Sequence, residues 1–184
     1  FVLAGDDHLV MEVLGRPFKV SAGAFFQVNT AQAGGMVRHL QTLLAAKLGG
    51  TLLDVYCGVG LFSAFLAGSF QRTIGVELSS AACGDFVENL DEFDAVELYE
   101  GPAEVILPAL KVQPDVLLVD PPRAGLAREA LDAVVRLQPG ALAYISCDPA
   151  TLARDAKRLI QAGYELTSVT PFDLFPQTYH IESI

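Results

Sequence analysis

The sequence predicts an α/β fold: a parallel sheet covered by helices on both faces and preceded by a short N-terminal hairpin. Three observations predict it. From Thr51 onward, short apolar strands alternate with helical stretches; a glycine-bearing turn joins the first of those strands to its helix; and Tyr56, Glu77, Asp120 and Cys147 each fall at a strand end, where the ligand crevice of an open parallel sheet lies.

Taken in order, His8 to Leu14 and Pro17 to Val20 alternate apolar and polar residues around Gly15-Arg16, a hairpin leading into Phe25-Phe26-Gln27-Val28-Asn29. Thr30 is placed to cap a helix whose apolar positions Met36, Leu40, Leu43, Leu44 and Leu48 recur every three or four residues, and Gly49-Gly50 ends it. Strands follow at Thr51 to Tyr56, Arg72 to Glu77, Val96 to Tyr99, Asp115 to Asp120 and Leu142 to Cys147. Helices include Ser79 to Leu90, Arg128 to Leu137 and Pro149 to Gln161. Gly163 to Phe172 and Tyr179 to Ile184 are expected to finish the sheet.

With 184 residues, 52% of them hydrophobic, the chain has the size and apolar content of one domain (1-184), of which 1-29 is a hairpin and lead-in segment. It has no apolar run of about 18 residues and no basic-then-apolar leader, so a soluble cytoplasmic protein is expected. Cys57, Cys83 and Cys147 stand in no metal-ligand spacing, which predicts no metal site and a reducing compartment. A net charge of −10 works against a broad nucleic-acid surface. An RNA substrate would therefore be gripped mainly by another segment. Both ends read as cut from a longer protein, and a monomer is the default expectation.

Asp54-Val-Tyr-Cys-Gly-Val-Gly60 follows an apolar strand and precedes a helix, and Gly58 and Gly60 let backbone approach a ligand. A dinucleotide fingerprint would carry a third glycine where Ser63 stands, and the lead-in Asp54 suits an S-adenosylmethionine loop better; a purely structural turn is the alternative. Glu77 ends the next strand, where a carboxylate can accept from ribose hydroxyls or simply face water. Pro102 lies where an adenine-contacting loop would run, but it lacks an N–H and a polar side chain, so no adenine ligand is assigned there.

Leu117-Leu-Val-Asp120-Pro-Pro-Arg123 carries a strand to an acid and then stiffens the backbone with two prolines. Such a rim suits an enzyme that holds a flipped base, although Asp120 could equally be a loop cap. Arg123 stands where amino-group methyltransferases place a stacking aromatic, which argues against that chemistry. In Tyr144-Ile-Ser-Cys147-Asp-Pro149 a thiol precedes a helix that Asp148 can cap, and the helix N-terminus is expected to lower the thiol pKa against the opposing charge of Asp148. Cys57 and Cys83 read as inert core thiols. Glu182, in His180-Ile-Glu182, reads as a catalytic acid or an edge carboxylate facing water. Arg154, Lys157 and Arg158 share a helix face that could meet phosphate or merely solvent.

Together these segments resemble the uracil-C5 RNA methyltransferase family, and the match spans nearly the whole chain in order: Phe25-Phe-Gln-Val-Asn29, Asp54 to Gly60, Gly75-Val-Glu77, Asp120-Pro-Pro-Arg123, Ser146-Cys-Asp-Pro149 and His180-Ile-Glu182. The resemblance implies a seven-stranded, Rossmann-like class I methyltransferase sheet. It implies S-adenosylmethionine as cofactor, held by Gln27, Tyr56, Gly58, Glu77 and Asp120, with Cys147 as nucleophile on carbon 6 of a uridine in tRNA or rRNA. It further implies that Glu182 removes the carbon 5 proton. Two departures stand out: the family's N-terminal RNA-binding barrel and frequent iron-sulphur cysteines are missing, and Leu61 replaces an often polar residue. Two other readings remain open at this level, a cytosine-C5 RNA methyltransferase, whose usual Pro-Cys pair is absent, and a non-catalytic module that binds cofactor or RNA.

Overall fold

The computed structural model describes residues 5–184, so the first four residues of the expected lead-in segment lie outside the described residues. The hairpin consists of β1 (His8–Val13) and β2 (Arg16–Ser21), followed by α1 (Thr30–Leu44). The repeating unit is then β3 (Thr51–Val55), α2 (Leu61–Leu66), β4 (Arg72–Glu77), α3 (Ser80–Asn89), β5 (Val96–Glu100), α4 (Ala103–Ala109), β6 (Val116–Val119), α5 (Arg128–Leu137), β7 (Ala141–Tyr144) and α6 (Pro149–Gln161). Two short strands end the chain, β8 (Pro171–Phe172) and β9 (Glu182–Ser183).

β3 to β7 form one parallel sheet in the order β5-β4-β3-β6-β7. The chain works outward from β3 to β5, then crosses to the opposite side at β6, so the topological switch lies between β3 and β6. A period of two divides the strand residues between two cores. Leu52, Val116 and Leu118 join Met36, Leu40, Phe62 and Phe86 on one face. Leu53, Val55, Ile74, Val76, Leu117 and Val119 join Leu107, Leu131 and Val134 on the other. The strands are buried on both sides, which is why they read as continuous apolar runs rather than alternations.

The hairpin turns through Leu14 and Gly15, both at positive φ (53° and 80°), as a tight two-residue connection requires. It is tied to α3: Asp85 accepts from the backbone N–H and the hydroxyl of Ser21, each at 2.6 Å. Asn89 accepts from the Lys19 N–H and donates to the Lys19 and Val59 carbonyls.

Three expectations need correction. The cap of α1 is Asn29, not Thr30: the Asn29 side chain accepts from Gln32 N–H at 3.2 Å and also donates to the Leu174 carbonyl. Leu43 and Leu48 are exposed, because Leu43 falls off the buried stripe and the α-helix stops at Leu44. The expected seven-stranded sheet has five parallel strands. β8 and β9 pair with each other as a separate antiparallel ladder, joined to the rest by a single bridge, Ser146 with Ser183. The stretch preceding β8 forms no strand, and its Leu166 and Val169 remain more than half exposed.

Candidate active site

A cavity of about 740 Å³ opens at the carboxyl ends of β3, β4 and β6. Gln27, Tyr56, Gly58, Glu77, Asp120, Cys147 and Glu182 all line it. The sequence separates these residues by up to 155 positions (182 − 27 = 155), and the switch in strand order brings them together.

At one end the glycine loop carries three consecutive alternations of unusual backbone: Tyr56, Gly58 and Gly60 have φ of 63°, 54° and 88°. A Cβ on Gly60 would lie 2.3 Å from Leu90 Cδ1 and 3.0 Å from Phe86 Cδ2, so only glycine lets the loop sit on α3. A Cβ on Gly58 would meet nothing, so that face is open to a ligand. Glu77 is held rigidly: Oε1 accepts from Leu78 and Ser79 N–H at 2.8 Å each, and Oε2 accepts from Gly58 N–H at 2.9 Å. Three of the roughly four acceptor positions of a carboxylate are thus filled, leaving one on Oε2. Gln27 is 6% exposed and its buried Oε1 has no partner, an acceptor awaiting a donor.

Ser63, in the position that denied the loop a third glycine, donates to Asp54 Oδ2 at 2.6 Å, while Oδ1 of this buried acid has no partner. Burial above all raises the Asp54 pKa to about 7, and the charge of Glu77 adds to this. Asp120 is raised to about 8, by burial first and then by Glu182, Asp54 and Glu77. Carboxyls so crowded favour a cationic ligand, whose charge would return them to their ionised forms.

At the other end, a bridge joins Ser146 to Ser183. The two residues exchange N–H···O=C bonds of 2.9 and 2.8 Å, and an antiparallel ladder in that register sets Cys147 opposite Glu182. Glu182 is 5% exposed, so it is not the water-facing edge carboxylate of the alternative reading. Burial raises its pKa, and Arg123 pulls the other way.

The expected lowering of the Cys147 pKa is reversed. Burial first and the charge of Glu182 second push the thiol up, against a hydrogen bond and positive charge from Arg123. The reason lies in the cap: Asp148 Oδ1 accepts from Ala150 and Thr151 N–H at 2.9 Å each, so the amides of the α6 N-terminus are spent on Asp148 rather than on sulfur. Arg123, noted in sequence only for not being aromatic, contacts the His180 ring and shares the cavity with Cys147. Its position after two prolines was the signal available in the sequence.

Cys57 and Cys83 are buried, and burial above all pushes both thiols up. The α6 basic face is largely committed: Arg154 donates to Asp155 and to the Ala124 carbonyl, and Arg158 donates to Asp132. Among the described residues no group of three or more His, Cys, Asp and Glu could hold a metal ion, and no helix is long and apolar enough to cross a membrane.

The tRNA (uracil-5-)-methyltransferase family model matches residues 7–114 and 104–184. An uncharacterized RNA methyltransferase of Thermosynechococcus vestitus is 42% identical over 186 residues, covering all of this chain and 41% of that protein. Another from Halalkalibacterium halodurans is 40% identical over 190 residues, again covering all of this chain and 41% of the relative. The chain therefore spans about two fifths of the length of the curated relatives it matches. Among solved structures, the Pyrococcus abyssi tRNA (uracil-54, C5)-methyltransferase in complex with S-adenosyl-L-homocysteine superposes with a TM-score of 0.84 at 30% identity, covering 98% of this chain and 44% of that one. With most of its length matched by the family model, the chain belongs to the tRNA (uracil-5-)-methyltransferase family.

Proposed function

We propose that residues 1–184 are the catalytic domain of an S-adenosylmethionine-dependent enzyme that methylates carbon 5 of a uridine in tRNA or rRNA through a Cys147 adduct. The observation that carries this reading is that Cys147 and Glu182, which flank the Ser146–Ser183 bridge, line the same cavity as Glu77 and Asp120. The cofactor fits the donor set. Gln27 Oε1 and Asp120 suit its ammonium, the remaining acceptor position of Glu77 suits a ribose hydroxyl, and the open face of Gly58 admits close backbone approach. Tyr56 closes the pocket beside them.

When bound, the cofactor supplies an electrophilic methyl group. Carbon 5 of uracil is a poor nucleophile, so Cys147 thiolate adds to carbon 6 and drives the electron pair toward carbon 5 and oxygen 4. After methyl transfer Glu182 takes the carbon 5 proton, a role suited to a buried carboxylate whose basicity burial raises above the ordinary carboxylate range. The carbon 6–sulfur bond then breaks and the thiolate is restored. A target base must leave its stack to reach this cavity, which favours uridines in loops. The net charge of −10 and the committed arginines of α6 support a reading in which segments outside residues 1–184 do most of the RNA docking.

The test is mass spectrometry of the full-length parent protein with S-adenosylmethionine and an RNA hairpin bearing 5-fluorouridine, whose fluorine blocks proton abstraction. A methylated RNA–protein adduct on Cys147, absent from Cys147→Ala, is expected. Glu182→Gln should accumulate the same adduct on ordinary uridine. Methylation that survives in Cys147→Ala, or that is confined to cytidine, would overturn the proposal.

A further inference from the structure

Among the described residues lining the cavity, the charged side chains are Glu77, Glu104, Asp120, Glu182 and Arg123, with His180 beside them. A thiol is to ionise in that setting and then add to a carbonyl-conjugated double bond. Both events create negative charge: first on sulfur, then on oxygen 4 of the base. Burial and the carboxylate of Glu182 oppose the first, and Asp120 adds to that opposition. Arg123 is the one guanidinium or ammonium group among those lining residues.

We propose that Arg123 is a catalytic residue: it stabilises the Cys147 thiolate in the free enzyme and then the enolate oxygen of the base once sulfur has added to carbon 6. Its placement supports both parts. Pro121 and Pro122 aim it from the end of β6, and the exposed guanidinium packs on the imidazole of His180, two residues before Glu182. The His180 ring lies against Tyr179, with centroids 4.1 Å apart and planes tilted by 45°. Arg123 is also within reach of the carboxylate of Asp148, which it stabilises, so Cys147, Asp148 and Glu182 share one cation. The His180 contact uses Nη2 alone, so the other N–H groups of the planar five-donor fork can serve the thiolate and the base.

The addition step balances without any further reactant. The sulfur–carbon 6 bond forms from the thiolate pair, the carbon 5–carbon 6 π pair moves toward carbon 4, and the charge comes to rest on oxygen 4, to which an Arg123 N–H donates without losing its proton. This second role rests on the uracil-C5 reading; the first does not. The groups facing the thiol are Arg123, Glu182, Asp120, Asp148 and His180, and only the first carries a permanent positive charge.

The first test follows iodoacetamide alkylation of Cys147 in the full-length protein by peptide mass spectrometry, from pH 6 to 10, for wild type, Arg123→Met and Arg123→Lys. Buried Cys57 and Cys83 serve as internal controls. Arg123→Met should move the midpoint of the rate profile up by about one pH unit, slowing alkylation at pH 7 by roughly tenfold while leaving the high-pH plateau unchanged, and Arg123→Lys should restore part of the shift. A profile superimposable on wild type would overturn the thiolate role. The second test measures adduct formation on 5-fluorouridine RNA at pH 8, with each rate divided by the thiolate fraction that the alkylation profile gives. A remaining deficit of about 10- to 100-fold in Arg123→Met is expected, and equal rates would overturn the enolate role. If wild type forms no adduct at all, the uracil-C5 reading falls while the alkylation result still decides the thiolate role.

Discussion

Replacing Asp155 with alanine should destabilise the domain by about 3–5 kcal/mol, because this acid ties together two segments that line the cavity. It sits on α6, the helix that begins two residues after Cys147, and is 1% exposed. Its Oδ2 accepts from Leu126 N–H and from the Tyr144 hydroxyl, both at 2.8 Å, and its Oδ1 accepts from Arg154 Nε at 2.8 Å. Leu126 follows the Asp120-Pro-Pro-Arg123 loop, and Tyr144 ends β7, so one carboxylate joins loop, strand and helix. Alanine would strand a buried amide and a buried phenol, each costing about 1–3 kcal/mol, and leave Arg154 without its partner. No water-sized detour is easy here, since Gly125 already packs so closely that a Cβ would lie 2.5 Å from Asp155 Oδ2. Urea denaturation followed by circular dichroism measures the loss, and a fall of about 6–20 °C in Tm should accompany it. Asp155→Asn keeps one acceptor and should cost roughly half as much, about 1–3 kcal/mol. A loss below about 1 kcal/mol for Asp155→Ala would refute the view that this carboxylate holds the site together.

Other expectations follow from the same geometry. Gly60→Ala forces a Cβ against Leu90 and Phe86 at a φ of 88°, so it should cost about 1–3 kcal/mol and weaken S-adenosylmethionine binding by calorimetry, whereas Gly58→Ala, which meets no neighbour, should keep more of the stability than of the binding. Asp120 has a folded-state pKa raised from 3.8 to about 8, so its stabilising contribution is fully present below pH 3.8 and is lost as pH rises through 8; Asp120→Asn should therefore be more stable than wild type at pH 8.5, by roughly 1–2 kcal/mol in urea titrations, and the difference should vanish toward pH 4. Asp85→Ala should release the hairpin from α3, seen as faster hydrogen exchange at Ser21 and Lys19, with a loss of about 2–3 kcal/mol; exchange at wild-type rates would show that the hairpin is held by its apolar contacts alone.

Much of the fold was legible because its signals are local. Continuous apolar runs such as Val116–Val119 are what a strand buried on both faces requires, and Asp148-Pro149 starts α6 where a capping acid and an N1 proline say it must. The misreadings concern longer-range choices. Asn29 and Thr30 are both good caps, and the Leu174 carbonyl within reach of Asn29 selects between them. Leu166 and Val169 look like strand residues, yet no strand stands beside them. The thiol of Cys147 was expected to feel the helix N-terminus, but the same Asp148 that marks the helix start consumes its amides.

The sequence by itself determined the alternating strand and helix order, the glycine loop, and the identity of the acids and thiol at the strand ends, since each depends on neighbours within a few residues. Tertiary structure decided which of them meet. The crossing from β5 to β6 creates the crevice, and one bridge, Ser146 to Ser183, turns two distant motifs into an apposed thiol and carboxylate. It also decided their electrostatics: burial raises Asp54, Asp120, Cys147 and Glu182, neighbouring carboxylates push the first three further up, and both effects depend on distances between elements that no local pattern encodes.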